Sequence, residues 1–243
     1  MRTNETILWV PGWGMPSFIW DSWQQSLPEY HHVSVDFSQS DSPSSFYQTV
    51  EEAYFENQRK LSSSVSIVGW SLGGMLAQHL AAAFPVQRLV LINTTARFVR
   101  DQTENQLGWP ATTLVRMKRL VRKNRHEVLE RFYQSMFPPS EKGLAHEKSR
   151  ILLQQCNWTE EALLAGLEIL LSEDCRPILA DIHCPCLLFH SLYDPVIPYA
   201  AGLEIAESLP NATTLSPDCQ GHYPFAADSS DLSNEIRRFI RAK

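Results

Sequence analysis

No stretch of this chain approaches the roughly eighteen consecutive apolar residues that a membrane-spanning helix needs, so the expectation is a soluble protein. Residues Met1-Arg2-Thr3-Asn4-Glu5-Thr6 lack the apolar core and cleavage site of a secretory leader and run straight into the apolar Ile7-Leu8-Trp9-Val10, which makes the cytoplasm the expected compartment. Cysteine is scarce and odd in number: Cys156, Cys175, Cys184, Cys186 and Cys219 form neither a disulfide framework nor a spaced metal-ligand pattern and are expected to be reduced and buried. A basic excess is missing too. The 21 Lys and Arg against 27 Asp and Glu give a net charge of −6, and without a nucleic-acid motif this argues against a nucleic-acid partner. Internal repeats, low-complexity tracts and linkers are also absent. The 243 residues, 44% hydrophobic, suffice for one sizeable core, and a monomer is expected.

Apolar strand patterns alternate with helical ones: strands at Ile7 to Val10, Val33 to Val35, Val65 to Val68 and Leu89 to Ile92, helices near Phe18 to Leu27, Phe46 to Leu61 and Leu72 to Phe84. Strands separated by helices imply a mostly parallel sheet with helices on both faces. After Asn93-Thr94-Thr95 the pattern is helical without strands until the sheet resumes at Cys186, followed by a short strand at Ala212 to Leu215 and an amphipathic run from Leu232 to Ile240. The expected organisation is a core of residues 1–95 and 177–243 carrying an inserted helical lid, 96–176.

Gly69-Trp70-Ser71-Leu72-Gly73 joins the Val65 to Val68 strand to the helical run that begins at Leu72. A G-x-S-x-G turn between strand and helix presents a serine hydroxyl clear of the sheet. The bare pattern also fits a Gly-rich loop that cradles a phosphate at a helix N-terminus, so position and partners decide. Asp194 follows the apolar run Cys186 to Ser191, where Pro195 and Pro198 end any strand, and His222 lies in a loop before the C-terminal helix. The order Ser, acid, His is the one this kind of fold uses, and the three types supply nucleophile, orienting carboxylate and base. Cys219 is near His222 but lacks an elbow and shares the loop of the base. His79 and His190 fall in a helix and a strand, His183 leads into a strand, and His31, His32, His126 and His146 have polar surroundings.

An oxyanion needs two N–H donors. Leu72, directly after the serine, offers one. The loop Pro11-Gly12-Trp13-Gly14-Met15 after the first strand offers the other, with the Trp13 N–H as candidate and the two glycines allowing close backbone approach, or simply a flexible turn.

Gly12-Trp13-Gly14 with Trp20, Gly69-Trp70-Ser71-Leu72-Gly73-Gly74, Gly166-Leu167-Glu168-Ile169-Leu170 with Asp174 and Arg176, then Asp194 and Gly221-His222, together resemble the α/β-hydrolase family and, within it, the pimeloyl-[acyl-carrier protein] methyl ester esterases of biotin synthesis. The resemblance spans nearly the whole chain. It implies an α/β-hydrolase fold and a serine carboxylesterase that removes a methyl cap from a carrier-bound dicarboxylate, with no metal or organic cofactor. Pro11 departs from the family pattern, where histidine is common, and the chain begins almost at the first strand, so the family's N-terminal hairpin is missing and a sheet of fewer strands is expected.

A helix from about Thr112 to Tyr133 is the substrate clue. At about 100° per residue Leu114, Met117, Leu120 and Val121 share one arc of about 120°, and Arg116, Lys118, Arg119, Arg122 and Lys123 fill the rest. Residues 112–131 carry +5 while the remainder carries −11. One reading is a solvated face. The other makes Arg116, Arg119, Arg122 and Lys123 a docking patch for an acidic carrier protein, with Trp13, Met117, Leu120 and Val121 as substrate-binding residues along an acyl channel. Alternative functions are a general carboxylesterase for short-chain acyl esters, related hydrolases that cleave C–C bonds, and a noncatalytic ligand receptor. Ser71 at the elbow excludes a dehalogenase that uses an aspartate nucleophile.

Overall fold

A computed structural model of the chain describes residues 5–61, 64–216, 221–225 and 230–242. Among the described residues six strands form one sheet: β1 (Glu5–Val10), β2 (His31–Ser34), β3 (Ser64–Trp70), β4 (Leu89–Ile92), β5 (Cys186–Phe189) and β6 (Ala212–Leu215). Their spatial order is β2-β1-β3-β4-β5-β6, and every pairing is parallel. Residues 7–10, 65–70, 89–92 and 186–189 are buried on both faces, as continuous apolar runs in a helix-covered parallel sheet must be. Because β1 is flanked by β2 on one side and β3 on the other, the chain reverses its direction of winding between β1 and β3. The crevice beyond the carboxyl ends of such strands is the general ligand position of open α/β sheets.

The helices are α1 (Asp21–Gln25), α2 (Pro43–Leu61), α3 (Leu72–Ala83), α4 (Ala111–Ser135), α5 (Lys142–Gln155), α6 (Glu160–Ser172), α7 (Tyr199–Ser208) and α8 (Ser230–Arg241). Between β4 and β5 the chain runs through α4, α5 and α6 with short 3-10 turns and one isolated bridge, Val99 to Trp109.

Local chemistry shifts several expected boundaries. The helix expected near Phe18 to Leu27 divides into a 3-10 turn, Ser17–Trp20, and the short α1. The second strand starts at His31, so His31 and His32 belong to the sheet edge, where His32 Nδ1 accepts the Trp9 indole N–H at 3.0 Å. The uniform helix expected over 112–133 breaks at Asn124 (φ −158°, ψ 82°). There the Asn124 side chain accepts the Glu127 N–H at 3.2 Å and caps the second half. The cysteines were expected to be buried throughout, yet Cys156 and Cys184 are half-buried; Cys175 and Cys186 are buried, and all four are free thiols. Cys219 lies outside the described residues.

Six tryptophans, at positions 9, 13, 20, 23, 70 and 158, are fully buried. Phe225 packs among three of them, with ring centroids 5.1 Å from Trp20, 4.7 Å from Trp23 and 5.1 Å from Trp70. This aromatic nest anchors the segment that carries His222. None of the described helices is long and apolar enough to cross a membrane.

Candidate active site

Strand β3 delivers the chain to Ser71, whose φ of 55° and ψ of −123° lie outside the ordinary regions for a side-chain-bearing residue. Neighbouring glycines are a steric requirement. A Cβ on Gly69 would stand 2.6 Å from the Gly73 carbonyl oxygen, and one on Gly73 would stand 2.1 Å from that of Val10. The strained turn is held from both sides: the Ser71 N–H donates to the Ile92 carbonyl at 3.0 Å, and the Thr94 hydroxyl donates to the Ser71 carbonyl at 2.6 Å.

His222 Nε2 lies 3.0 Å from Ser71 Oγ, and its Nδ1 lies 2.8 Å from Asp194 Oδ2. Both the imidazole and the carboxylate have side chains with no exposed surface. The other carboxylate oxygen, Oδ1, accepts the N–H groups of Val196 and Ile197, each at 2.8 Å. Four lone-pair directions are thus largely used, which fixes the carboxylate plane toward Nδ1 and leaves Nε2 facing the serine. An imidazole so oriented can take the serine proton and be stabilised as imidazolium by the buried carboxylate.

The histidine loop is clamped through its backbone. The His222 carbonyl accepts the Trp70 indole N–H and the Asn93 amide, both at 3.0 Å, while the His222 N–H donates to the Met136 carbonyl at 2.8 Å. Asn93, at φ 42°, also donates to the Gly221 carbonyl at 3.1 Å and accepts the Ser191 N–H at 2.9 Å. Sequence reasoning missed Asn93, Thr94 and Ser191. Their one signal was position, since each lies within two residues of the carboxyl end of an apolar strand.

Leu72 opens α3, so its N–H is among the first-turn donors that have no intrahelical acceptor, at the positive end of the helix dipole. The loop after β1 lies against it: a Cβ on Gly12 would be 3.2 Å from Ser71 Cβ. Three side chains of the inserted segment or contacts with it fix that loop. Tyr133 donates to the Gly14 carbonyl at 2.5 Å, Trp158 to the Met15 carbonyl at 3.1 Å, and the Trp13 indole donates to the Leu163 carbonyl at 2.8 Å. Burial pushes the Tyr133 hydroxyl far above its ordinary value, so it remains a donor. Gly166 of α6 lies over the same spot, where a Cβ would meet Trp13 Cδ1 at 2.7 Å and Leu72 Cδ2 at 3.4 Å. The Trp13 ring is therefore committed to the inserted helices, packed edge-on against Phe132 at 5.0 Å, and the preceding residue, Gly12, lies against Ser71.

On α4, Leu114 and Val121 are buried and Met117 and Leu120 half-buried, so this arc packs inward. Arg116, Arg119, Arg122 and Lys123 are exposed, and none of them has an ion-pair partner among the described residues; Lys118 instead pairs with Glu168 of α6. His79, Glu173 and Cys175 also cluster, but as an internally bonded set. Glu173 accepts from His79 at 2.9 Å, from the Asp174 N–H at 3.1 Å and from the Tyr47 hydroxyl, and the Cys175 thiol points to the Met75 carbonyl at 3.7 Å.

Comparison with known proteins agrees with this fold. The model of the alpha/beta hydrolase family matches residues 7–235. A pimeloyl-[acyl-carrier protein] methyl ester esterase of Chromobacterium violaceum is 35% identical over 185 residues, which is 73% of this chain and 70% of that protein. One of the same description from Aromatoleum aromaticum is 30% identical over 241 residues, 95% of this chain and 96% of that protein. Among solved structures, an esterase from Exiguobacterium antarcticum superposes with a TM-score of 0.82 at 17% identity, covering 100% of this chain and 94% of its own. A bromoperoxidase from Bacillus anthracis does so with a TM-score of 0.87 at 16% identity, covering 99% and 93%. Likenesses at that identity establish the fold alone. With a six-stranded parallel sheet, a serine at a strand-to-helix elbow and a family match over nearly its full length, the chain belongs to the alpha/beta hydrolase family.

Proposed function

We propose that this chain is a serine carboxylesterase that hydrolyses the methyl ester of a pimeloyl group borne on acyl carrier protein. The observation that carries the hydrolytic part is the continuous Ser71–His222–Asp194 hydrogen-bonded chain at the carboxyl edge of the sheet. The substrate part rests on the pimeloyl-[acyl-carrier protein] methyl ester esterases that align with most of the chain.

In this mechanism His222 removes the Ser71 proton as Oγ attacks the ester carbonyl. The N–H groups of Leu72 and Trp13 hold the developing oxyanion, each worth about a hundredfold to a thousandfold in rate. His222 then protonates departing methanol. Water enters, His222 deprotonates it, and the acyl-enzyme collapses to the free carboxylate and Ser71. Residues 96–176 serve as a lid over a core of 1–95 and 177–243, with Met117, Leu120 and Val121 along the acyl channel and Trp13 shaping its floor. No cofactor takes part in any step of this scheme.

The exposed Arg116, Arg119, Arg122 and Lys123 are the docking patch for the acidic carrier. They support the reading because they are unpaired among the described residues in a molecule whose net charge is −6. The free thiols of Cys156, Cys175, Cys184 and Cys186 suit a reducing, cytoplasmic setting, and the working unit is a monomer. The test compares wild type with Arg119→Glu/Arg122→Glu on the carrier-bound methyl ester and on p-nitrophenyl butyrate. Selective loss of the carrier reaction supports the patch. Equal activity of both proteins on both substrates overturns it, and favours a general short-chain carboxylesterase.

A further inference from the structure

The Asp194 loop is held from outside as carefully as the carboxylate is held from within. Val196 and Ile197 give both of their N–H groups to Asp194 Oδ1 at 2.8 Å. Their two carbonyl groups are also taken by side chains, one from the segment between β4 and β5 and one from the residue that directly follows β5. The Trp109 indole N–H donates to the Val196 carbonyl at 2.7 Å, and His190 Nε2 lies 2.9 Å from the Ile197 carbonyl. A carbonyl oxygen only accepts, so Nε2 carries the proton. Burial lowers the ring's affinity for a second proton, which keeps His190 neutral although its Nε2 is 3.8 Å from Asp194 Oδ2. The Val196–Ile197 peptide unit, whose N–H goes to Asp194 and whose carbonyl goes to Trp109, is thereby locked in orientation, because rotating it breaks a hydrogen bond at each end, while His190 holds the carbonyl of the next unit, Ile197–Pro198.

Trp109 stands at the base of the inserted segment, where its own backbone is bridged to Phe98 and Arg100: its N–H donates to the Phe98 carbonyl at 3.0 Å, and its carbonyl accepts the Arg100 N–H at 2.9 Å. The buried Arg100 guanidinium forms a two-pronged pair with Glu204 of α7, the helix that follows the acid loop. The stem of the insertion is therefore fastened to the acid loop and to the helix behind it.

We propose that Trp109 and His190 are positioning residues for Asp194, and that Trp109 makes the alignment of the acid depend on the seating of the inserted helices. This rests on the Ser71–His222–Asp194 reading. It requires no particular ester.

The test uses the full chain carrying Trp109→Phe, His190→Leu or His190→Gln, assayed on p-nitrophenyl butyrate with active sites counted by a fluorophosphonate. Trp109→Phe keeps an aromatic ring against Phe98 and loses only the donor; His190→Gln keeps a donor near Nε2. A misaligned carboxylate stabilises the imidazolium less. Trp109→Phe and His190→Leu are therefore expected to lower kcat per titrated site by about tenfold to a hundredfold at unchanged KM, and to move the acidic limb of the kcat/KM profile to lower pH. The low-field proton resonance of the His222–Asp194 hydrogen bond should shift in both, and His190→Gln should restore both signatures. Titrated sites that turn over at the wild-type rate, with limb and resonance unmoved, overturn the proposal and leave both residues as packing. Wild type inactive on the ester contradicts the esterase reading, and the resonance, read without substrate, still decides the positioning claim.

Discussion

Asn93, 129 residues from His222 in sequence, donates its side-chain amide to the backbone carbonyl of that histidine at 3.0 Å. The same side chain reaches Gly221 and Ser191, so one buried residue at the end of β4 joins the loop of the base to the strand that precedes the acid. Asn93→Ala leaves the buried Ser191 N–H without its acceptor and removes one of two donors from each of the Gly221 and His222 carbonyls, which keep the Ser191 hydroxyl and the Trp70 indole. The expected loss is about 2 kcal/mol of stability, from one unsatisfied buried donor at about 1–3 kcal/mol, with a fall in kcat as the seat of His222 loosens. Denaturant unfolding and turnover on a small ester check the two effects. A variant with wild-type values in both contradicts the clamp.

Gly166 lets α6 rest on Trp13 and Leu72. In Gly166→Val the side chain must displace an indole that is hydrogen-bonded to Leu163, and overpacking of this kind costs about 2 kcal/mol. Because the displaced group belongs to the loop beside Ser71, kcat is expected to fall further than the remaining folded fraction explains. Activity per titrated active site separates the two contributions.

The elements legible in the sequence were those whose pattern is local. β4 and β6 coincide with the apolar run at 89–92 and the short strand-like segment at 212–215, and the elbow reads directly from a strand, a small-residue turn and a helix. Ser71, Asp194 and His222 stand out because reactive residue types sit where strands end. What is not legible is support that works through backbone groups far apart in the chain: Asn93 on His222, Trp109 on Val196, Tyr133 on Gly14. A carbonyl carries no residue identity, so no motif announces such a contact. The kink at Asn124 is different, since an asparagine three residues before Glu127 is a capping signal that amphipathic periodicity conceals.

Acid should weaken the contact of α2 and α3 with the segment after α6. The hydrogen bond from His79, together with that from Tyr47, holds the Glu173 carboxyl below its ordinary value of 4.5. A depressed folded-state value means the unfolded chain binds the proton more readily. The contribution of Glu173 is therefore complete above about pH 4.5 and declines as the pH falls through the lower folded value. Thermal unfolding midpoints of Glu173→Gln should change less over that interval than those of wild type. Parallel curves for the two proteins contradict the assignment.

The most direct measurement follows the mass of pimeloyl methyl ester on acyl carrier protein after incubation with wild type and with Ser71→Ala. The account predicts conversion to the free acid by wild type and a loss of several orders of magnitude in Ser71→Ala, as when other triads lose their nucleophile. An ester left intact by a wild type that still cleaves p-nitrophenyl butyrate contradicts the substrate, and a Ser71→Ala protein as active as wild type contradicts the mechanism.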